Sequence, residues 1–173
     1  MDSLDISFFI ELARQENGIR SGYDKITGRW RPHKSIEGGN DTIAYGHKLL
    51  DNEDFSDGID DFDAVDLLVR DFNKSWELTQ DQWDDNFHER FAKLPQKYKY
   101  VLTELAFNSG PLATGGRWKW PKLALAIRNN DDQNVYNESI RYFHNKNNKK
   151  QPLLSRSTAI CRALGLIFEP LKI

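Results

Sequence analysis

Residues 16–50 read ENGIRSGYDKITGRWRPHKSIEGGNDTIAYGHKLL. The stretch opens on a carboxylate, passes through glycines and aromatics with turn signals, and closes on Thr42-Ile43-Ala44-Tyr45-Gly46-His47. Upstream, Ile6, Phe9, Ile10 and Ala13 fall at helical spacing, and Asn17-Gly18 offers the left-handed residue that commonly ends a helix. A helix over residues 3–16 therefore places Glu16 on its last turn. A carboxylate there faces the negative end of the helix dipole, which favours the protonated form that a general acid needs.

After Gly18 the periodicity changes. Tyr23, Ile26, Trp30, Thr42, Ile43 and Tyr45, punctuated by Gly22, Gly28, Gly38 and Gly39, read as short strands of a small antiparallel sheet. Such a sheet carries Asp24 and Thr42 back towards Glu16. A carboxyl acid, a second carboxylate and a hydroxyl in one cleft form an inventory suited to glycoside hydrolysis. One carboxyl protonates the leaving oxygen and the other helps water attack.

Glu16, Tyr23-Asp24 and the TIAYGH element at 42–47 resemble the glutamate, aspartate and threonine constellation of phage-type lysozymes, glycoside hydrolase family 24. Downstream, Leu102 to Gly110 (LTELAFNSG) resembles that family's helix ending in Phe-Asn-x-Gly, and Leu154 to Leu164, with Arg156, resembles its C-terminal helix. The resemblance covers nearly the whole chain. In the family the aspartate commonly falls two residues after the tyrosine, where this chain has Lys25, and one step along a strand reverses the face of a side chain. Asp24 and Thr42 are also further apart than a tight hairpin allows, and the extra segment, Trp30 to Asn40, contains His33 and Glu37.

The resemblance implies a mostly helical α+β fold, lysozyme-like, with a small antiparallel sheet lobe and a larger helical lobe. Residues 1–173 would form a single domain: a sheet lobe over about 17–60, a helical lobe of 1–16 with 80–173, and a connecting helix over 61–79. The implied activity is that of a muramidase, cleaving the β-1,4 bond between N-acetylmuramic acid and N-acetylglucosamine for bacterial cell-wall lysis by a phage. Glu16, Asp24 and Thr42 would be the catalytic residues. Tyr23, Glu37, Tyr45, His47 and Asn108 would contact the glycan, with Glu37 in reserve as second carboxylate and the Trp30 to Asn40 segment beside the entrance. His47 also reads as a structural hydrogen-bonding residue. Alternatives are a glycan-binding or structural virion module that kept the fold without the chemistry, and a transglycosylase. No cofactor is expected. The implied partner is peptidoglycan, with the chain acting either as a phage virion or tail component or as a soluble monomeric endolysin. It would reside in the host cytoplasm or the virion and act on the periplasmic wall.

Composition sets outer limits. With 173 residues, 39% of them hydrophobic, the chain is long enough for a well-buried core. A net charge of −2 gives no general attraction to nucleic acid or an anionic membrane. The single cysteine, Cys161, excludes an internal disulfide. No apolar run approaches a membrane span, and the N-terminal MDSLDISFFIELARQ is unlike a signal peptide. His33, His47, His88 and His144 are too scattered to argue a metal site.

Residues 51–63 (DNEDFSDGIDDFD) hold seven acidic residues and no basic one. With Gly58 at the sixth place of a calcium loop, the third place is Phe55, which cannot ligate, so the stretch reads as a solvated connection. Ala64, Leu68, Phe72 and Trp76 repeat every four residues on a following helix, and Trp83, Phe87 and Phe91 repeat the spacing on a third. Tyr98, Val101, Leu102 and Leu105 make the apolar face of a fourth, started at Pro95, with Leu105 and Ala106 buried and Glu104 in polar surroundings. Short helices over about 121–129 and 132–143, a polar loop over 145–151 and a final helix over 154–166 complete the chain. The tryptophans read mainly as core, while Trp30, Trp118 and Trp120 are in loops where an exposed ring would stack on sugar. Lys146, Lys149, Lys150, Arg156 and Arg162 make the C-terminal part basic, as solvated faces or as an attraction for anionic peptide stems.

Overall fold

The computed structural model describes residues 3–35, 39–140, 142–144, 150–152 and 154–166. The fold is α+β, mostly helical, with six α-helices and small antiparallel sheets among the described residues. The chain divides into two compact units, one formed by Phe9–Asn73 and the other by Met1–Phe8 with Lys74–Ile173. Two helices run across that division in sequence: α1 (Ser3–Asn17) and α2 (Asp61–Phe87).

The unit Phe9–Asn73 is built around an indole. β1 (Tyr23–Asp24) pairs with β2 (Arg29–Trp30), and β3 (His33–Lys34), β4 (Asp41–Ile43) and β5 (His47–Lys48) form a three-stranded sheet. Strands this short cannot stabilise themselves. What fixes them is the fully buried Trp30, packed with Ile43, Ala44, Ile59, Ala64 and Leu67 and flanked by Tyr23, Tyr45, Leu49 and Phe55. Burying one such side chain contributes about 2 kcal/mol. Trp30 is also held at both ends: its backbone exchanges two hydrogen bonds with Ile59, and its Nε1 donates to Asp61 Oδ1 at 2.7 Å. Gly58 permits this close approach, since a Cβ there would lie 2.5 Å from the Trp30 carbonyl oxygen.

In the other unit, α3 (Gln96–Ser109) presents Tyr98, Val101, Leu102, Leu105 and Ala106 as a buried face, as its spacing predicts. Trp83, Phe87 and Trp118 form a ring cluster with centroids 4.4–5.6 Å apart. Gln82 Oε1 accepts from the backbone N–H groups of Leu112 and Ala113, fixing the start of the hairpin β6 (Ala113–Thr114) and β7 (Arg117–Trp118). α4 (Pro121–Arg128) opens on a proline at a position where no N–H is needed. α5 (Asp132–Ser139) is capped by Asp131, whose side chain accepts from the Asn134 backbone. β8 (Tyr142–His144) pairs with β9 (Lys150–Pro152), and α6 (Leu154–Ala163) follows. Cys161 on α6 is buried, and burial pushes its thiol up to about 12, so it stays protonated at neutral pH.

Several elements differ from the sequence expectations. α1 turns Phe8 and Leu12 inward and leaves Ile6 and Ile10 exposed, because the inward stripe also contains polar residues that find partners: Asp5, for one, accepts from the Tyr100 hydroxyl. The helix expected to start afresh near Trp83 is the continuation of α2, and Phe91 falls in a single turn of 3-10 helix, Phe91–Lys93. Residues 142–144 are a strand rather than the end of a helix. Ile26 is not a strand residue. It sits in the β1–β2 turn, 96% exposed. The extra segment from Trp30 to Asn40 supplies β3 as an added strand, paired His33 to Thr42 and Lys34 to Asp41.

Candidate active site

The inward stripe of α1 continues by one more turn, from Phe8 and Leu12 to Glu16, so Glu16 is half-buried rather than projecting into solvent. Its carboxyl group lies against the turn between β4 and β5: a Cβ placed on Gly46 would stand 3.9 Å from Glu16 Oε2. This turn carries two left-handed residues, Gly46 (φ 86°) and, unusually for a residue with a Cβ, Ala44 (φ 53°). The helix end is also distinctive. Gly18 is not the left-handed residue; Arg20 is, at φ 55°. Gly18 is required for a different reason, since a Cβ there would approach the Arg14 carbonyl oxygen to 2.7 Å.

Asn17, next to Glu16, is buried and fully engaged. Its Nδ2 donates to the carbonyls of Ser21 (3.0 Å) and Ala44 (2.7 Å), and its Oδ1 accepts from the Ser21 N–H (2.9 Å). Thr42, buried on β4, donates from Oγ1 to the His33 carbonyl at 3.3 Å. Tyr45 is half-buried with its ring 5.2 Å from that of Trp30, and burial, then the charge of Asp61, raises its phenol above the usual range. The Tyr23 ring lies 5.1 Å from Trp30 on another side, and the Arg20 guanidinium stands 3.7 Å over it. Asp61 joins the group by accepting from both Arg20 Nη2 (2.6 Å) and Trp30 Nε1 (2.7 Å).

His47 is buried between two carboxylates, with Nδ1 2.6 Å from Asp71 Oδ2 and Nε2 2.9 Å from Glu53 Oε2. The bond with His47 is the largest influence holding the Glu53 carboxyl below its ordinary value. Both ring nitrogens of His47, expected from the sequence either to contact glycan or to bond within the fold, are engaged by carboxylates of the chain.

Asp24 has a local role. Its carboxylate accepts from the Thr27 hydroxyl (2.7 Å) and from the backbone of Ile26 (2.9 Å) and Thr27 (3.4 Å), and its carbonyl accepts from Gly28. The Thr27 hydroxyl foremost, then the Ile26 N–H, holds this carboxyl below its ordinary value. Asp24 is thus the residue that closes the β1–β2 turn. Glu37 lies outside the described residues, as do Lys146 and Lys149.

Asn108 belongs to the other unit. There it donates from Nδ2 to the backbone oxygen and to Oε1 of Glu104, both at 3.0 Å, and Arg156 Nε donates to the same Oε1 at 2.8 Å. Glu104 is 6% exposed, in the polar surroundings the sequence suggests, and Arg156 is drawn into this pair rather than solvated. Trp30 and Trp118 are buried, which removes both as exposed sugar-stacking rings.

Sequence reasoning missed Asn17, Asp61, Glu53 and Asp71. Asn17 had a signal that pointed elsewhere, since Asn-Gly after a helix reads as a stop and not as a long-range clamp. Glu53 and Asp61 belong to the acidic stretch 51–63, which reads as solvent-facing, and Asp71 lies beside the apolar stripe of α2, where a lone carboxylate reads as solvated. Among the described residues no group of three or more His, Cys, Asp or Glu side chains is arranged to hold a metal ion, and no helix is long and apolar enough to cross a membrane. No protein-family model matches the chain, nor does any curated protein or solved structure.

Proposed function

We propose that this chain is a lysozyme-like enzyme that cleaves the glycan of peptidoglycan between N-acetylmuramic acid and N-acetylglucosamine, with Glu16 as general acid. The observation that carries the reading is the position of the Glu16 carboxyl at the end of α1, half-buried and against Gly46 of the Thr42–His47 element. A half-buried carboxyl group at a helix end, beside a glycine, is suited to donate a proton to a glycosidic oxygen. Tyr23 and Tyr45, each half-buried, offer partial ring faces for sugar. The setting that fits is a phage endolysin or a virion-associated muramidase.

The engagement of Asp24 in the β1–β2 turn favours a second outcome of the same cleavage. With one carboxyl group in charge, Glu16 gives its proton to the leaving oxygen. The 6-hydroxyl of the muramic acid then attacks its own C1, returning its proton to the Glu16 carboxylate and leaving an anhydro sugar. Hydrolysis instead adds water at C1. Digestion of purified peptidoglycan, followed by mass spectrometry, tests both: reducing-end muropeptides support the muramidase, and products lighter by one water support the transglycosylase. Release of no soluble muropeptide by the folded protein would contradict the enzyme reading and favour a non-catalytic glycan-binding or virion structural module.

A further inference from the structure

We infer that Asn17 is a positioning residue for Glu16, a role that rests on the reading of Glu16 as general acid. Four facts converge on this residue. It follows Glu16 directly, so any displacement of the α1 terminus moves both. Its carboxamide spans 27 positions of sequence to reach the Ala44 carbonyl, and it closes the local loop through the carbonyl and N–H of Ser21. Its own backbone carbonyl accepts from the N–H of Arg20. The residue it reaches, Ala44, has a left-handed backbone, two residues before the Gly46 that faces the Glu16 carboxyl.

The chemistry of the contact is specific to an amide. Two donors meet two carbonyls and one acceptor meets one N–H, which sets the orientation of the amide without ambiguity. An alanine in a left-handed conformation is costly and persists where surrounding contacts over-determine it. The bond from Asn17 Nδ2 to the Ala44 carbonyl is such a contact, and through it the helix terminus and the β4–β5 turn move as one piece. The acid is thereby held at a fixed depth against the turn, whereas a free helix end would let the carboxyl swing into solvent.

Asn17→Asp is nearly isosteric but turns an oxygen on both carbonyls. Asn17→Ser keeps one hydroxyl donor and no charge. With full-length protein and a soluble, uncrosslinked glycan strand as substrate, Asn17→Asp is expected to lower kcat by about 10- to 100-fold with KM changed less than about 2-fold. Asn17→Ser is expected to fall between it and the parent, with the alkaline limb of its kcat–pH profile moved to lower pH as water reaches the carboxyl. Should Asn17→Asp fail to fold, Asn17→Ser decides. Parental kcat and an unmoved alkaline limb below the melting temperature would overturn the inference, as would a raised KM at constant kcat. Glu16→Gln, run in parallel, separates the two levels. If it remains active, the assignment of the acid is wrong. If it is inactive while the Asn17 variants are normal, only the positioning role falls.

Discussion

His47 Nδ1 lies 2.6 Å from Asp71 Oδ2, which ties β5 to the middle of α2. The ring's other nitrogen meets Glu53, so one buried imidazole joins a strand, a helix and the acidic segment that follows the strand. Bonds of this charge-assisted kind are worth about 1.5–3 kcal/mol each. His47→Gln is therefore expected to destabilise the protein by about 2 kcal/mol or more, read from urea unfolding at neutral pH.

The same cluster gives a pH dependence. Glu53 has a folded-state pKa below its ordinary value of 4.5, and the bond with His47 is the first cause. A depressed carboxylate contributes stability that is fully present above the unfolded value and is lost as pH falls through the folded one. The stability difference between the parent and Glu53→Gln should shrink as pH falls below about 5. A difference that grew on acidification would show the sign to be wrong.

Asp24 and Thr27 should behave as one unit. Each single substitution, Asp24→Asn and Thr27→Ala, is expected to lower Tm modestly, with the double variant little worse than either, because both remove the same turn contact. Activity on peptidoglycan should survive both. A loss of activity with Asp24→Asn alone, at unchanged Tm, would restore Asp24 to the role of second carboxylate.

Gly58→Ala tests the seat of Trp30. The residue has φ 70° and its Cβ would press on a backbone oxygen at 2.5 Å, which flexible side chains cannot relieve. A left-handed alanine alone costs about 1 kcal/mol, and the clash adds to it. The expected result is a fall in Tm larger than for Gly115→Ala or Gly116→Ala, whose Cβ positions are open.

Glu104 and Arg156 form an ion pair in which the carboxylate is buried and the guanidinium half-buried. Arg156→Leu should destabilise the protein by up to about 3 kcal/mol, because the buried Glu104 carboxylate loses the bond from the guanidinium. Combining it with Glu104→Leu should recover much of that loss. A double variant as unstable as the sum of the singles would show that the two residues act separately.

How much of this was legible in the sequence follows from how the residues are stabilised. α3 and the first half of α2 bury the residues their apolar spacing predicts, so Ala64, Leu68, Phe72, Tyr98 and Leu102 could be assigned directly, whereas the burial of Thr103 and Glu104 on α3 leaves no apolar pattern. α1 could not, because its inward stripe mixes Phe8 and Leu12 with Asp5 and Glu16, while Ile6 and Ile10 face water. The polar stretch from Glu77 to Gln82 hid the continuity of α2, although Thr79 within it is fully buried. The TIAYGH element marked the turn beside Glu16. The clamp that holds that turn was invisible, since hydrogen bonding over 27 positions leaves no local pattern.

If Glu16 supplies the proton for glycosidic cleavage, the initial rate of muropeptide release from purified peptidoglycan must collapse in Glu16→Gln. The variant's fold is to be verified by circular dichroism. The amide keeps the shape and removes the acid proton, so the expected result is a loss of about 100- to 10,000-fold at parental stability. A folded Glu16→Gln protein releasing muropeptides at close to the parental rate would contradict that role of Glu16.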